Sequence, residues 1–414
     1  MASTFSALQH REFRLLFAGQ TVANLGLWIQ DFALGWLVVQ LAVREGTPAL
    51  AGFYLGLRSM AAAASGVAFG VFAGVVADRV DRRTLLLQAR AAAGVVALLL
   101  AAAVLTDHAT LPVVLLLSAA SGAAWAFDPP TRQAMLPSIV PVRDLFSSIG
   151  LMRATMQAAH TIGPLIGGLL MVPLGLGGVL LTNAGGTLAS LVALLPMRAQ
   201  PPAADARETG VLRSLREGFV YVRDNDVLRW CTLSQLVFAI LIQSFNQLLP
   251  AIAQDTLHAE ALELSWLVAA AGVGSLAGAL VITVFGGVRR RGVLLVGSLV
   301  SVSALTIVLG MQRELGPMLV VLVALGVNHQ AFMGTQTIAL QVASADRYRG
   351  RVLGLQTIVF NSAAPVGVLV IGTLGSAIGI SNAVFAGGAL ALVLALLMLR
   401  VPSLVGLRGD AAER

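Results

Sequence analysis

The chain has 414 residues, 57% of them hydrophobic and only 11% charged, and its net charge of +7 is carried by arginine alone, since there is no lysine. A soluble domain carries roughly 25% charged residues; the shortfall is too large for a buried core and makes the bilayer the expected solvent. Twelve spans of about 20 apolar residues consume nearly the whole length, which excludes a soluble catalytic or nucleic-acid-binding domain, and the single Cys231 excludes an intramolecular disulfide and a multi-cysteine metal site.

Apolar runs predict spans at 13–41, 50–76, 84–105, 112–136, 145–172, 176–197, 227–253, 265–287, 292–311, 316–341, 351–376 and 380–400. They are continuous and rich in Leu, Ala and Val, without the period-two alternation of a closed barrel. Helices are then the way to satisfy backbone groups in lipid. The first run follows Arg11 and Arg14 and continues to about Leu41, too long for the apolar core of a signal peptide, so it reads as a retained first span. With both termini placed in the cytoplasm, the outer loops hold only Arg44 and Arg313, while the inner segments and tails collect most of the other arginines. This is the positive-inside pattern.

Ionisable groups within a span are costly and are functional candidates by default. Asp31 lies 18 residues after Phe13, near the inner end of the first span, and Arg58 lies 18 residues before Val76, near the inner end of the second. At about 1.5 Å per residue both sit roughly 27 Å from the inner side, so adjacent antiparallel helices bring them level. Two readings stay open: a permanent ion pair that orients two helices, or a pair that opens in one conformation and leaves Asp31 to take up a proton. Asp128 and Arg132 are one turn apart near the inner end of the fourth span, and Arg90 and Arg153 complete the arginines within spans. Amides and histidines add Gln20, Asn24 and Gln30; Gln157 and His160; Gln243, Asn246 and Gln247; and Asn328, His329 and Gln336. In hydrocarbon each needs a partner, as an interhelical hydrogen bond or as a ligand contact; His329 is also a proton-coupling candidate because imidazole titrates near neutral pH.

The longest connector, 198–226, opens on Pro201-Pro202 and becomes amphipathic, with Leu212, Leu215, Phe219 and Val222 on one helical face. It reads as a helix on the membrane surface or as a solvated linker. It divides the chain into an N-terminal bundle (1–197), the linker (198–226), a C-terminal bundle (227–400) and a tail (401–414). The halves look related: Leu136, Arg143, Gly150 and Leu151 recur as Leu340, Arg347, Gly354 and Leu355, an offset of 204. Repeated halves are a transporter architecture with substrate bound between them.

The stretch from Gly74 to Arg83 reads GVVADRVDRR, with Gly74 expected to allow close helix packing and Asp78 at a helix end. It resembles the signature loop of the major facilitator superfamily, with Gly74, Asp78, Arg79, Arg82 and Arg83 at matching places and Asp81 where a second glycine is usual. Gly163–Gly168, GPLIGG, resembles the superfamily's antiporter motif through Gly163, Pro164, Gly167 and Gly168. The segments 127–145, 246–253 and 349–355 resemble the exporter branch that includes enterobactin exporters and macrolide efflux proteins. The resemblance implies a conformational latch in the signature loop, with Asp128 pairing Arg82, and a copy after the eighth span, from Gly286, that lacks the acidic residue. It also implies a substrate cavity lined by spans 1, 4, 7 and 10, for which Asn24, Gln30, Gln243, Asn246, Asn328 and Gln336 are candidates, with Gln157 added from span 5.

The expectation is an all-α membrane protein of twelve transmembrane helices in two pseudo-symmetric six-helix bundles, the major facilitator fold. It would sit in a bacterial cytoplasmic membrane with both termini inside and work as a monomer in contact with membrane lipid. It would export a small amphipathic molecule, siderophore-like or a drug, in exchange for protons. Its rivals are a facilitator or importer of the same fold and a non-transporting sensor or scaffold. No phosphate loop ending in Gly-Lys-Ser/Thr, no HExxH and no GxSxG is present, so no enzyme activity, metal, cofactor or nucleic-acid partner is expected.

Overall fold

The computed structural model describes residues 5–200, 211–285 and 290–407; within them the side chains at 71, 75, 77, 78, 211–215 and 282–285 also lie outside the description. The helices are α1 (Arg11–Arg44), α2 (Ala51–Arg79), α3 (Arg82–Leu105), α4 (Leu111–Ala126), α5 (Asp128–Ile139), α6 (Val142–Leu194), α7 (Val211–Asp224), α8 (Asp226–Val237), α9 (Ser244–Ile252), α10 (Ala261–Phe285), α11 (Arg291–Met311), α12 (Leu315–Ala343), α13 (Asp346–Ile378), α14 (Ile380–Met398) and α15 (Pro402–Val405). Among the described residues there is no strand, and ten helical stretches are long and apolar enough to cross a membrane.

Ten stretches qualify where twelve spans were expected, and two features account for the difference in position. The 53-residue α6 is far longer than one bilayer crossing needs. It breaks at Gly175, where φ is 65° and ψ 178°, a backbone region open essentially to glycine alone; the expected spans 145–172 and 176–197 are its two arms. The second expected span is α2, which is not among the ten. The stretch Leu111–Ile139 is nearly continuous through Phe127, and Asp226–Leu257 runs through two five-residue π-helical segments, Phe238–Ile242 and Ala253–Leu257.

The chain divides into two compact units, residues 1–41 with 57–207, and residues 42–56 with 208–414. The boundary differs from the linker-centred division at two places. Residues 42–56 join the second unit because Gly52 lies against Gly372, where a Cβ would meet the Gly372 Cα at 3.1 Å, and a Cβ on Gly56 would meet the Leu369 Cα at 2.5 Å. The linker itself is split, its first residues belonging to the first unit and α7 to the second.

Within the first unit α3 packs on the second arm of α6, and within the second α11 packs on α14. Small residues set these approaches. A Cβ on Gly122 would run into the Ala62 carbonyl, and one on Gly326 into the Ala271 carbonyl, where Gly274 of the facing helix meets Val323 as closely, so each unit brings two helices to backbone contact through glycine. The two glycines are 204 positions apart, the same offset as the repeated sequence pattern. Without a hydrophobic drive between helices in lipid, such close contacts are what hold the bundle.

At the end of the first unit that carries Arg82 and Arg83, Phe13, Leu16, Leu86, Met135, Met152 and Leu194 form one buried cluster joining α1, α3, α5 and both arms of α6. The linker helix α7 departs from the expected single apolar face. Val222 is buried while Phe219 is 59% exposed, because the helix is rotated to seat Tyr221 against Tyr348 of α13. The side chains of Leu212 and Leu215 lie outside the description, as do residues 201–210, 286–289 and the tail beyond 407.

Candidate functional site

The two charges placed level by residue counting meet in the first unit. Arg58 Nη2 donates to Asp31 Oδ1 at 2.9 Å. The pair is lopsided: the arginine side chain is 9% exposed and the aspartate 43%. Arg58 Nε is buried and makes no hydrogen bond among the described residues. The cation is therefore the buried partner of the pair and the carboxylate the accessible one.

The glycine motif on α6 lies against the same stretch of α1. A Cβ on Gly163 would come 2.7 Å from Trp28 Cβ, and one on Gly167 3.0 Å from the Phe32 ring; Pro164 and Gly168 are buried beside them. Close approach sets the His160 ring edge-on to Trp28 with centroids 4.2 Å apart. Residues 28–32, with Asp31 among them, are thus held directly by the motif. Pro164 keeps helical backbone; the break in α6 falls at Gly175.

In the same unit lies a small cavity of about 60 Å³ whose lining mixes apolar side chains such as Leu27 and Trp125 with Gln20, Asn24, Arg90 and Asp128. Gln20 donates to Asn24 at 2.6 Å and accepts from Arg90 at 2.6 Å. Asn183 donates to Gln30, and Asn24 reaches Thr155 at 3.4 Å. Asn24 and Gln30, cavity candidates from the sequence, are 3% and 5% exposed and spend their amides on these bonds. Asn183 was not singled out in the sequence, although a lone amide in the apolar run Leu180-Leu181-Thr182-Asn183 is a visible signal.

The expected Asp128–Arg82 latch pair does not form. Asp128 is clamped by Arg90 at 2.5 Å and Arg132 at 3.3 Å, while Arg82 Nη1 donates to the Ala134 carbonyl at 3.0 Å. The reason is depth. Ala134 lies six residues, about 9 Å, from Asp128 along α5, and Arg82 is level with it at the start of α3; Arg90, two turns further into α3, is the arginine at the height of Asp128.

The rest of the signature loop fastens the first unit to itself. Arg83 donates to the Leu194 and Leu195 carbonyls at the end of α6. Asp81 caps α3 by accepting from the Thr84 N–H at 2.8 Å and the Thr84 hydroxyl at 2.7 Å, and it also takes the Gln200 N–H at 2.5 Å. Burial pushes the Asp81 carboxyl up, but these hydrogen bonds and the nearby Arg83 guanidinium outweigh it and hold the group below the ordinary aspartate value. Gln200 closes the clip, accepting from Arg82 N–H at 3.0 Å and from the Ser138 hydroxyl at 2.7 Å. Arg79 is exposed, and the Asp78 side chain lies outside the described residues. The expected close packing at Gly74 is absent among the described residues: its Cβ would meet nothing within 4 Å.

In the second unit Gln243 and His329 bond at 2.6 Å, at the end of the π-helical segment Phe238–Ile242, with Phe238 5.0 Å from the imidazole and stacked on Phe332. Asn328 donates back to Ala324 within α12. Gln336 donates to the Cys231 carbonyl at 2.7 Å and is 2% exposed, so it joins α12 to α8 rather than lining open space. Gln157 and Asn246 are half-buried. No cluster of three or more metal-ligating side chains occurs among the described residues.

Two helical units with a repeated packing scheme, an intramembrane ion pair and a glycine-packed sixth helix match known sequences throughout. The profile of the transmembrane secretion effector family of the major facilitator superfamily matches residues 2–410. The chain belongs to this family. It is therefore a multi-pass membrane transporter of small molecules and not an enzyme. Among relatives, a macrolide efflux protein A of Streptococcus pyogenes is 23% identical over 394 residues, covering 93% of this chain and 94% of that one. The multidrug efflux pump Tap of Mycobacterium tuberculosis is 27% identical over 405 residues, covering 95% and 93%. The major facilitator fold is shown by a solved bacterial homolog of the human lysosomal transporter Spinster, in an inward-facing and unoccupied conformation, with a TM-score of 0.77 at 16% identity over 97% of this chain and 99% of that one. The nucleoside transporter NupG matches with a TM-score of 0.73 at 11% identity, covering 93% and 98%.

Proposed function

We propose that this major facilitator efflux transporter exports a small amphipathic molecule, a drug or a siderophore-like metabolite, by alternating access and in exchange for protons. It does so as a monomer in a bacterial cytoplasmic membrane with both termini inside. The observation that carries the coupling is the Asp31–Arg58 pair, a half-exposed carboxylate on a buried cation, held in place by the glycine motif of α6.

The chemistry follows from that asymmetry. While Arg58 neutralises it, Asp31 stays ionised; a conformation that draws the two apart leaves a lone carboxylate facing low dielectric, where it takes up a proton. The neutral acid no longer attracts Arg58, which is then available to an electronegative group of the cargo. Return of the pair expels the proton. Asp31 alternates between two partners, a guanidinium and a proton, and only one is held at a time.

Efflux relatives that act on macrolides and on several drugs support an amphipathic cargo. The test is the direction of accumulation of a fluorescent amphipathic dye in inverted membrane vesicles. Export predicts uptake into the lumen when the lumen is acidified. Equilibration to equal concentrations would support a facilitator instead, and uptake only against the opposite gradient an importer.

A further inference from the structure

The linker helix α7 is fixed in orientation by the second unit, and this leaves one face of defined chemistry. Tyr221 stacks on Tyr348 with centroids 4.3 Å apart and 14° between planes, and its hydroxyl accepts the Ala345 N–H at 3.1 Å. Glu217 pairs with Arg351 at 2.9 Å, and Gly218 lets the helix approach the Arg351 backbone, where a Cβ would already be at 3.4 Å. Tyr221, Glu217 and Gly218 are thereby committed to α13 and its N-terminal approach, and Val222 is buried on the same side of the helix. The opposite face carries Arg216, Phe219, Val220 and Arg223, all exposed.

That face mixes two things water does not reward together. Phe219 is 59% and Val220 39% exposed, and they lie between two arginines seven residues, about 10.5 Å, apart. Among the described residues Arg223 pairs with the exposed Asp224 at 3.0 Å, a pairing worth little in solvent. The helix also sits at the rim of a membrane span: Asn225 accepts the Leu228 N–H as the cap of α8, and Asp226 begins the apolar stretch Asp226–Leu257. A surface at headgroup height, with cations flanking exposed apolar side chains, fits a lipid with a negative phosphate and an acyl chain beside it.

We infer that the outward face of α7 binds an anionic glycerophospholipid, with Arg216 and Arg223 on the headgroup and Phe219 and Val220 on the upper acyl chain. The inference does not rest on transport. It makes α7 a bridge, fastened to α13 on one side and to the leaflet on the other.

The test is native mass spectrometry of the full-length protein titrated with phosphatidylglycerol or phosphatidylcholine. Phosphatidylglycerol should be retained in preference. Each of Arg216→Gln and Arg223→Gln should weaken its retention about fivefold and the pair about 25-fold, at roughly one headgroup contact each. The lysine pair Arg216→Lys with Arg223→Lys should keep it, which separates charge from folding. Phe219→Ser should weaken both lipids alike. Equal retention of the two lipids, unchanged retention in the double glutamine variant, or displacement by excess inorganic phosphate would each overturn the assignment.

Discussion

Arg58 holds Asp31 through one 2.9 Å contact, Nη2 to Oδ1, with the cation 9% and the anion 43% exposed. The two partners are consequently not equivalent. Asp31→Asn keeps an acceptor for Arg58 and removes the titrating group, so expression and thermal stability should stay near those of the parent while proton-driven export falls at least tenfold. Arg58→Gln frees a carboxylate that already borders open space; it should fold, and export should lose its steep dependence on the proton gradient. Paired melting curves and vesicle transport rates check both.

The glycines make a ranking. Gly163→Ala places a methyl 2.7 Å from Trp28 Cβ, a rigid neighbour, and should destabilise by about 1–3 kcal/mol through overpacking. Gly167→Ala meets the edge of the Phe32 ring at 3.0 Å, which a small ring rotation relieves, and should cost less. Gly74→Ala meets nothing and should be neutral or stabilising by about 0.5–1 kcal/mol from helix propensity. Thermal unfolding in detergent, followed by size-exclusion fluorescence, gives the order.

Among the described residues Asp128 is the carboxylate that pairs both Arg90 and Arg132, and it is 7% exposed. Asp128→Ala leaves two guanidiniums inside the bundle without their anion and should destabilise by about 3–5 kcal/mol. Adding Arg90→Gln should restore part of that loss, whereas adding Arg82→Gln should restore none, since Arg82 bonds the Ala134 carbonyl instead. A double-mutant cycle on melting temperature distinguishes the two arginines.

The clip at Asp81 has a pH signature. Its folded-state value lies below the ordinary 3.8, so its contribution to stability is complete above 3.8 and is lost as pH falls through the lower folded value. Asp81→Asn, which keeps one accepting oxygen of two, should therefore lower the melting temperature at neutral pH, where the contribution is complete, and reduce its acid sensitivity below about pH 4. Parallel melts between neutral and acidic pH test the sign.

What the sequence could reveal here was set by range and phase. Equal depth along two neighbouring helices needs only residue counting, so Asp31 and Arg58 were legible. Asp128 was not: its partner depends on which turn of α3 stands opposite, and an error of two turns exchanges Arg90 for Arg82. Gln200 was invisible because two of its three bonds use its backbone. Asn183 bonds Gln30 across 153 residues, a separation no local pattern reports. The linker helix was legible as amphipathic, yet its rotation was decided by Tyr221 meeting Tyr348, so Phe219 and Val222 point to different surroundings.

Uphill transport tests the account most directly. In inverted vesicles with an acidified lumen, the parent protein should concentrate an amphipathic dye in the lumen, a protonophore should collapse that gradient, and Asp31→Asn should equilibrate the dye without concentrating it. Undiminished accumulation with asparagine at position 31, or in the presence of the protonophore, would contradict the coupling role of the Asp31–Arg58 pair.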